Sequence, residues 1–419
     1  MAKLKFFRKL IDIIRPKHFA GHCWQKSSVF GRKGVIVPAL RIFALMGMLI
    51  MTADFVAAND DRENEVDTTA TSSRGVFERV SGLGENVIDL ITWEWDETVF
   101  TVYPVVGMNP RSGFVYGVMP ALKWDSPRAG KVNTLTVNAE ASTKGMKLLQ
   151  VEHEWYFQEQ WVTRGKTLVG SREDRFWPGR GQDDYSFNRK EERMDWFFLN
   201  NLTASLWGGV EVLWGRNRLS DLTFTGDSDI PGQEGGIVSG IGPAFVFDNR
   251  QRTLAPAFGS LIELTWLFAG PAGIGDYSYE RLTLDARHYR SRKESGTVWA
   301  FQSIVDFSGG KVPFYEAPQL GGKERLRGIG HPLRQTGQSV WLVRGELRQP
   351  VWWRLGAVFF AGVGRDGDDF SQPLKEVTGS FGTGLRFRIL PDDPLNVRFD
   401  FGVSTMNTTG FYISLKEAF

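Results

Sequence analysis

The side chains best suited to chemistry are few and scattered. The chain has five histidines, and past residue 58 only His153, His288 and His331 remain. His153 shares a face with Val151 and Trp155, and His288 with Leu284, so neither reads as a ligand. His331 has no Cys, Asp or Glu at metal-ligand spacing. There is no Gly-x-Ser-x-Gly elbow, phosphate-cradling glycine loop or His-Glu-x-x-His, and Ser171, His153 and Asp174 form no ordered triad. No catalytic residue, metal or cofactor is expected, and the chain does not read as an enzyme. What remains is fixed charge in a pattern. Arg344, Glu346 and Arg348 alternate along one segment, and Arg398 and Asp400 along another. Leu320–Gly337, LGGKERLRGIGHPLRQTG, sets Arg325, Arg327 and Arg334 among glycines that include Gly321, Gly322, Gly328 and Gly330. A guanidinium is tolerated in an interior only when paired, and glycine allows bends that a Cβ resists. The alternating charges suit a wall network bracing a loop better than a proton relay. Composition alone also fits a plain surface loop, so the elements around it must decide.

Those elements are strands. From Glu97 onward the pattern has period two. Phe381, Thr383, Leu385, Phe387 and Ile389 alternate with Gly382, Gly384, Arg386 and Arg388, and Val397, Phe399, Phe401 and Val403 with Arg398, Asp400, Gly402 and Ser404. Leu149, Val151, His153, Trp155 and Phe157 alternate with Gln150, Glu152, Glu154 and Tyr156. One face is oily and the other charged. A soluble sandwich alternates too, but here the polar face carries full charges and segments reach about ten residues, enough to cross a bilayer on a tilt. The charged face then lines a wet bore and the apolar face meets lipid. About sixteen segments are expected, an all-β transmembrane barrel. The long connections, Asp174–Lys190, Leu219–Gly236, Gly309–Gly337 and Asp366–Lys375, all follow odd-numbered segments, as expected when both termini are periplasmic. The arginine stretch is then the sixth outer loop.

Ahead of the strands, Ile42–Ala58 is apolar, follows a basic region and ends in Ala57-Ala58. It reads as a secretory leader (1–58) cut near Asn59, with a retained anchor as the alternative. The leader holds ten of the 50 Lys and Arg and two of the 48 Asp and Glu, which leaves 40 basic against 46 acidic residues, a net of −6. The balance gives no reason to expect nucleic acid. Cys23 leaves with the leader, so disulfides are not expected. Residues 59–95 form a short periplasmic segment. Val76, Val80, Leu83, Val87, Leu90 and Ile91 within Arg74–Trp95 have helical spacing, consistent with an amphipathic helix or a linker. The barrel is expected over 96–419.

Several motifs carry a family resemblance. Leu326-Arg327-Gly328-Ile329 resembles the loop-six signature of the Omp85 superfamily, which includes BamA, TamA and two-partner secretion transporters. Phe245–Arg250 with Phe258-Gly259-Ser260, Gly345–Pro350, and Gly384–Phe387 with Pro394–Asp400 are similar to further motifs of that family, in the family's order. Tyr103-Pro104 and Asn109–Gly113 look like the opening hairpin of members without an N-terminal domain. Phe419, in register with Leu415 and Ile413, resembles an outward-facing C-terminal insertion signal. The resemblance implies a sixteen-stranded outer-membrane barrel with the loop arginine docked inside. It also implies a weak seam, where Phe100–Gly107 would meet Gly410–Phe419.

Two departures bear on function. Where the family carries an Asp in strand thirteen, this chain has Gly362, so Arg327 is expected to pair with Glu346 or Asp400, both lumen-facing. And 59–95 is too short for one of the POTRA domains that receive clients, which implies a separate periplasmic partner. The expected function is assisting insertion or translocation of proteins or lipids at the bacterial outer membrane, with outer-membrane lipid and client barrels as partners. The alternatives are a passive pore or structural surface barrel and, third, a surface enzyme.

Overall fold

The computed structural model describes residues 92–95, 98–109, 111–126, 131–157, 160–176, 185–223, 230–270, 274–292, 294–329, 338–367, 377–388 and 396–419. The expected leader, most of the expected helical segment, His331 and Arg334 lie outside them. A short β1 (Thr92–Trp95) precedes β2 (Thr98–Asn109), β3 (Gly113–Ser126), β4 (Lys131–Ser142), β5 (Lys147–Phe157), β6 (Trp161–Phe176) and β7 (Tyr185–Thr203). Then come β8 (Leu206–Ser220), β9 (Gly236–Asp248), β10 (Gly259–Ala269), β11 (Tyr279–Ser291) and β12 (Val298–Gly310). The chain closes with β13 (Ser339–Trp352), β14 (Leu355–Gly367), β15 (Thr378–Arg388), β16 (Asn396–Ser404) and β17 (Thr409–Leu415). Strands β2 to β17 pair with their sequence neighbours, all antiparallel, and β17 returns to β2 to close a sixteen-stranded barrel.

The period-two pattern sets which face points where. On β15, Phe381 and Leu385 are 62% and 56% exposed, while Arg386 between the strands' inner residues is only 4% exposed. An apolar outer surface of this extent belongs in lipid. Every backbone group in the wall must find a partner there, which a closed ladder provides.

Two stretches depart from the sequence reading. Asp174–Lys190 is mostly strand, because β6 runs to Phe176 and β7 resumes at Tyr185. Phe176 and Phe187 are fully buried there against Phe314, in a 3-10 turn (Phe314–Glu316) after β12, with ring centroids 4.9 and 5.2 Å away. Burying those rings keeps the ladder going past the membrane-crossing length. Thr92–Trp95, at the end of the stretch read as an amphipathic helix or a linker, is a strand. It pairs with Thr98–Thr101 of β2.

Candidate functional site: loop six, the lumen and the seam

Loop six leaves β12 and folds into the bore. Its 3-10 turn places Glu316 against Arg193, whose Nη1 donates to both carboxylate oxygens at 2.8 Å. Farther along, Leu320, Leu326 and Ile329 bury with Ile304, Val340 and Leu342. A tight return hydrogen-bonds Leu326 N to Leu320 O at 3.2 Å. The loop backbone is held from the wall. Arg344 donates to the Arg325 and Glu324 carbonyls at 2.7 Å, and Arg398 to the Lys323 carbonyl at 2.9 Å. Arg325 reaches Asp306 at 2.9 Å.

Arg327 is 1% exposed. Its Nη1 donates to Asp400 Oδ2 at 2.8 Å and its Nη2 donates to Glu346 Oε1. The two carboxylates named as alternatives from sequence thus both bind it. Each carboxylate has a second arginine: Arg348 on Glu346 at 2.9 Å and Arg386 on Asp400 at 2.6 Å. The Arg327 guanidinium also lies 3.5 Å from the centre of the Phe360 ring, a cation-π contact from β14 that sequence reading missed. Phe360 was legible only as an inward aromatic two residues before Gly362.

Gly362 explains its own departure from the family pattern. A Cβ there would come within 2.8 Å of both the Arg344 Cβ and Leu326 Cδ2, so loop six occupies the space that an aspartate would need. Gly328 has φ +99° and a Cβ there would press on the Val403 backbone at 2.7–2.8 Å. Only glycine lets the loop lie this close to β16. The carbonyls on either side are anchored as well: Ser380 Oγ donates to Arg327 O, and Thr408 Oγ1 to Gly328 O at 2.6 Å.

The seam is the second feature. Among the described residues β17 registers with β2 at Ile413 and Met108 alone, one residue past the Phe100–Gly107 stretch expected to meet Gly410–Phe419 at a weak seam. At Lys416 the chain takes φ +68° and turns into the bore. Phe419, read from sequence as outward, is therefore an inward residue, 7% exposed and clustered with Tyr289 and Ala300. Its carbonyl accepts from Arg348 at 2.9 Å, and the Arg344 guanidinium lies 4.4 Å from its ring centre. Glu417 accepts from Arg386 at 2.8 Å. Burial pushes the Glu417 carboxyl up, but Arg386 and Arg348 prevail and hold it below its ordinary value. The alternation rule failed here because wall arginines offer the tail better partners than the sheet edge does. Tail and loop leave two cavities. One of about 560 Å³ behind the seam touches Val105, Met119, Leu415 and Lys166. One of about 390 Å³ lies under the loop, against Ala255, Arg325 and Phe419.

The two described histidines, His153 and His288, lie on the outer wall. His153 packs beside Trp155 and Trp196 and hydrogen-bonds Thr163 at 3.2 Å. His288 Nδ1 lies 2.9 Å from Ser260 Oγ, a pair not foreseen from sequence. Among the described residues no carboxylate hydrogen-bonds that ring.

The Omp85 superfamily domain matches residues 129–419, more than half of the chain. The chain belongs to the Omp85 superfamily. Among solved structures this Omp85 barrel is similar to BamA from Haemophilus ducreyi lacking POTRA domains 1-3, at TM-score 0.54 and 13% identity over 84% of this chain and 80% of that one. It is also similar to CdiB from Acinetobacter baumannii (TM-score 0.52, 9% identity) and CdiB from Escherichia coli (TM-score 0.50, 13% identity). Each match covers 77% of this chain, which spans 60% and 63% of those two. At such identities the likeness speaks to fold. No protein of curated function matches the sequence. As an Omp85 barrel, the protein resides in the bacterial outer membrane.

Proposed function

We propose that this barrel assists the insertion of β-strand client proteins into the outer membrane, receiving a client strand at the seam between β2 and β17. One observation carries the reading: β17 reaches β2 at a single register pair, Met108 with Ile413. A sheet edge not fully used by its own barrel is a template for another strand. Loop six acts as a brace in this reading. With Arg327 held by Glu346 and Asp400, it keeps β13 and β16 fixed while the seam yields. Outer-membrane lipid surrounds the wall, and a separate periplasmic protein delivers the clients.

The test is folding of a urea-denatured client barrel into vesicles with and without the protein. Faster client folding supports the proposal. Steady ion conductance with no effect on client folding would overturn it in favour of a passive pore. The same vesicles assayed for phospholipid hydrolysis, with Ser260→Ala as control, address a surface enzyme.

A further inference from the structure

The edge of β2 that faces the seam has a second occupant. Strand β3 pairs with β2 from Thr98 to Asn109 along one side, so β1 must lie on the other, the side to which β17 returns. There Thr92–Trp95 is matched one to one with Thr101–Thr98. Trp93 lies beside Phe100, the rings tilted by 32° with centroids 5.6 Å apart, and Thr92 Oγ1 meets Thr101 Oγ1 at 3.4 Å. Trp93 is 48% exposed, as a lipid-facing residue of the wall would be. Continued in the register of Met108 with Ile413, β17 would reach Val102 with Phe419 and stop just short of β1. The two segments therefore divide the edge without overlap, β1 at the end where β2 begins and β17 at the far end.

We propose that the Thr98–Thr101 edge is a strand-receiving site, and that β1 fills it in cis until a client strand with an aromatic at the Trp93 position takes its place. This rests on the insertase reading and adds the regulation of the same seam. A four-residue strand at a sheet edge is held weakly enough to be exchanged, yet while seated it satisfies the backbone groups a client must use. Displacement keeps the count of strands in the wall unchanged, so no edge is bared to lipid during the exchange.

The test locks β1 in place. In a Cys23→Ser background, Thr92→Cys with Thr101→Cys puts two thiols where the hydroxyls already face each other, within reach of a disulfide. Val169→Cys with Glu192→Cys, a register pair of β6 and β7, is the control lock away from the seam. Oxidised Thr92→Cys/Thr101→Cys protein should lose most of its acceleration of client folding and regain it on reduction, while the control lock changes nothing. Replacing Thr92–Trp95 by Gly-Ser-Gly-Ser should speed client folding. If wild type is active and the lock is without effect, or the replacement slows folding, β1 is no cap and the insertase reading stands. If wild type accelerates no client, both readings fall together.

Discussion

The wall between β6 and β7 and the wall between β17 and β2 are made of the same kind of strand and end differently. β6 and β7 match residue for residue from Trp161 with Asn200 to Phe176 with Tyr185, whereas β17 meets β2 at Met108 and Ile413. The difference does not come from strand propensity, since Phe411, Ile413 and Leu415 alternate as well as any segment here. It comes from competition. At the β6–β7 hairpin nothing among the described residues rivals the neighbouring strand, and Phe314 rewards its extension. At the seam the last residues have a rival site inside the bore, with Arg348 and Arg386 waiting for Phe419 O and Glu417. The barrel is firm where ladder and lumen agree and yielding where they compete.

Closing the weak wall covalently should have the largest effect. Met108→Cys with Ile413→Cys, oxidised, is expected to abolish client folding, while the Val169→Cys/Glu192→Cys lock on the firm wall leaves it intact. Equal activity from both would remove the seam from the proposed function.

The next effect tests what holds the rest rigid. Arg327→Ala leaves Glu346 and Asp400 buried without their shared cation, a change that costs about 3–5 kcal/mol when nothing else compensates. Arg348 and Arg386 still touch one oxygen of each, so the lower end is expected. The temperature at which the folded barrel loses its compact mobility on a detergent gel should fall. Unchanged mobility would mean that loop six braces nothing. Gly362→Asp should cost about 1–3 kcal/mol by overpacking, even though it brings a carboxylate, because a Cβ there meets Leu326 and Arg344. Loop six should then become easier to cut with protease. A variant as stable as wild type would refute the steric account.

Much of this was legible because period two is a local signal. The strand centres, the even number, the position of loop six and the inward charges of β13 and β16 follow from alternation and connection length alone. Alternation put Glu346 and Asp400 on the inner face, whereas the docking of Arg327 came from the family resemblance of its loop, and their pairing from the cost of an unpaired buried guanidinium. Phe360 was not legible, as nothing in the sequence says which inward ring a guanidinium will cover. Thr92–Trp95 and Phe419 were misread because each sits at the end of a segment, where a tertiary partner outweighs pattern. Thr92–Trp95 follows apolar residues at helical spacing up to Ile91 yet pairs as a strand, and Phe419 continues an outward register yet turns inward at Lys416. Phe176 and Phe187 were placed in a loop because their reason for staying in strands, Phe314, is more than a hundred residues away.

The smallest expected effect concerns what keeps the tail out of the seam. Lys416 Nζ reaches Glu152 Oε2 at 2.9 Å across the bore, with side chains 39% and 36% exposed. An ion pair that open contributes at most about 1 kcal/mol. Phe419 is buried and its carbonyl is held by a wall arginine, so the anchoring should lie at the end of the tail and not at its turn. In a double-mutant cycle of Lys416→Ala and Glu152→Ala, read by gel-mobility temperature, coupling should be no more than about 1 kcal/mol. Phe419→Ala should loosen the tail more, seen as faster hydrogen exchange at Glu417 and Ala418. If the cycle gave the larger effect, charge at the turn would be what opens the seam, and the contrast between the two walls would be set by Lys416 instead of by the arginines of β13 and β15.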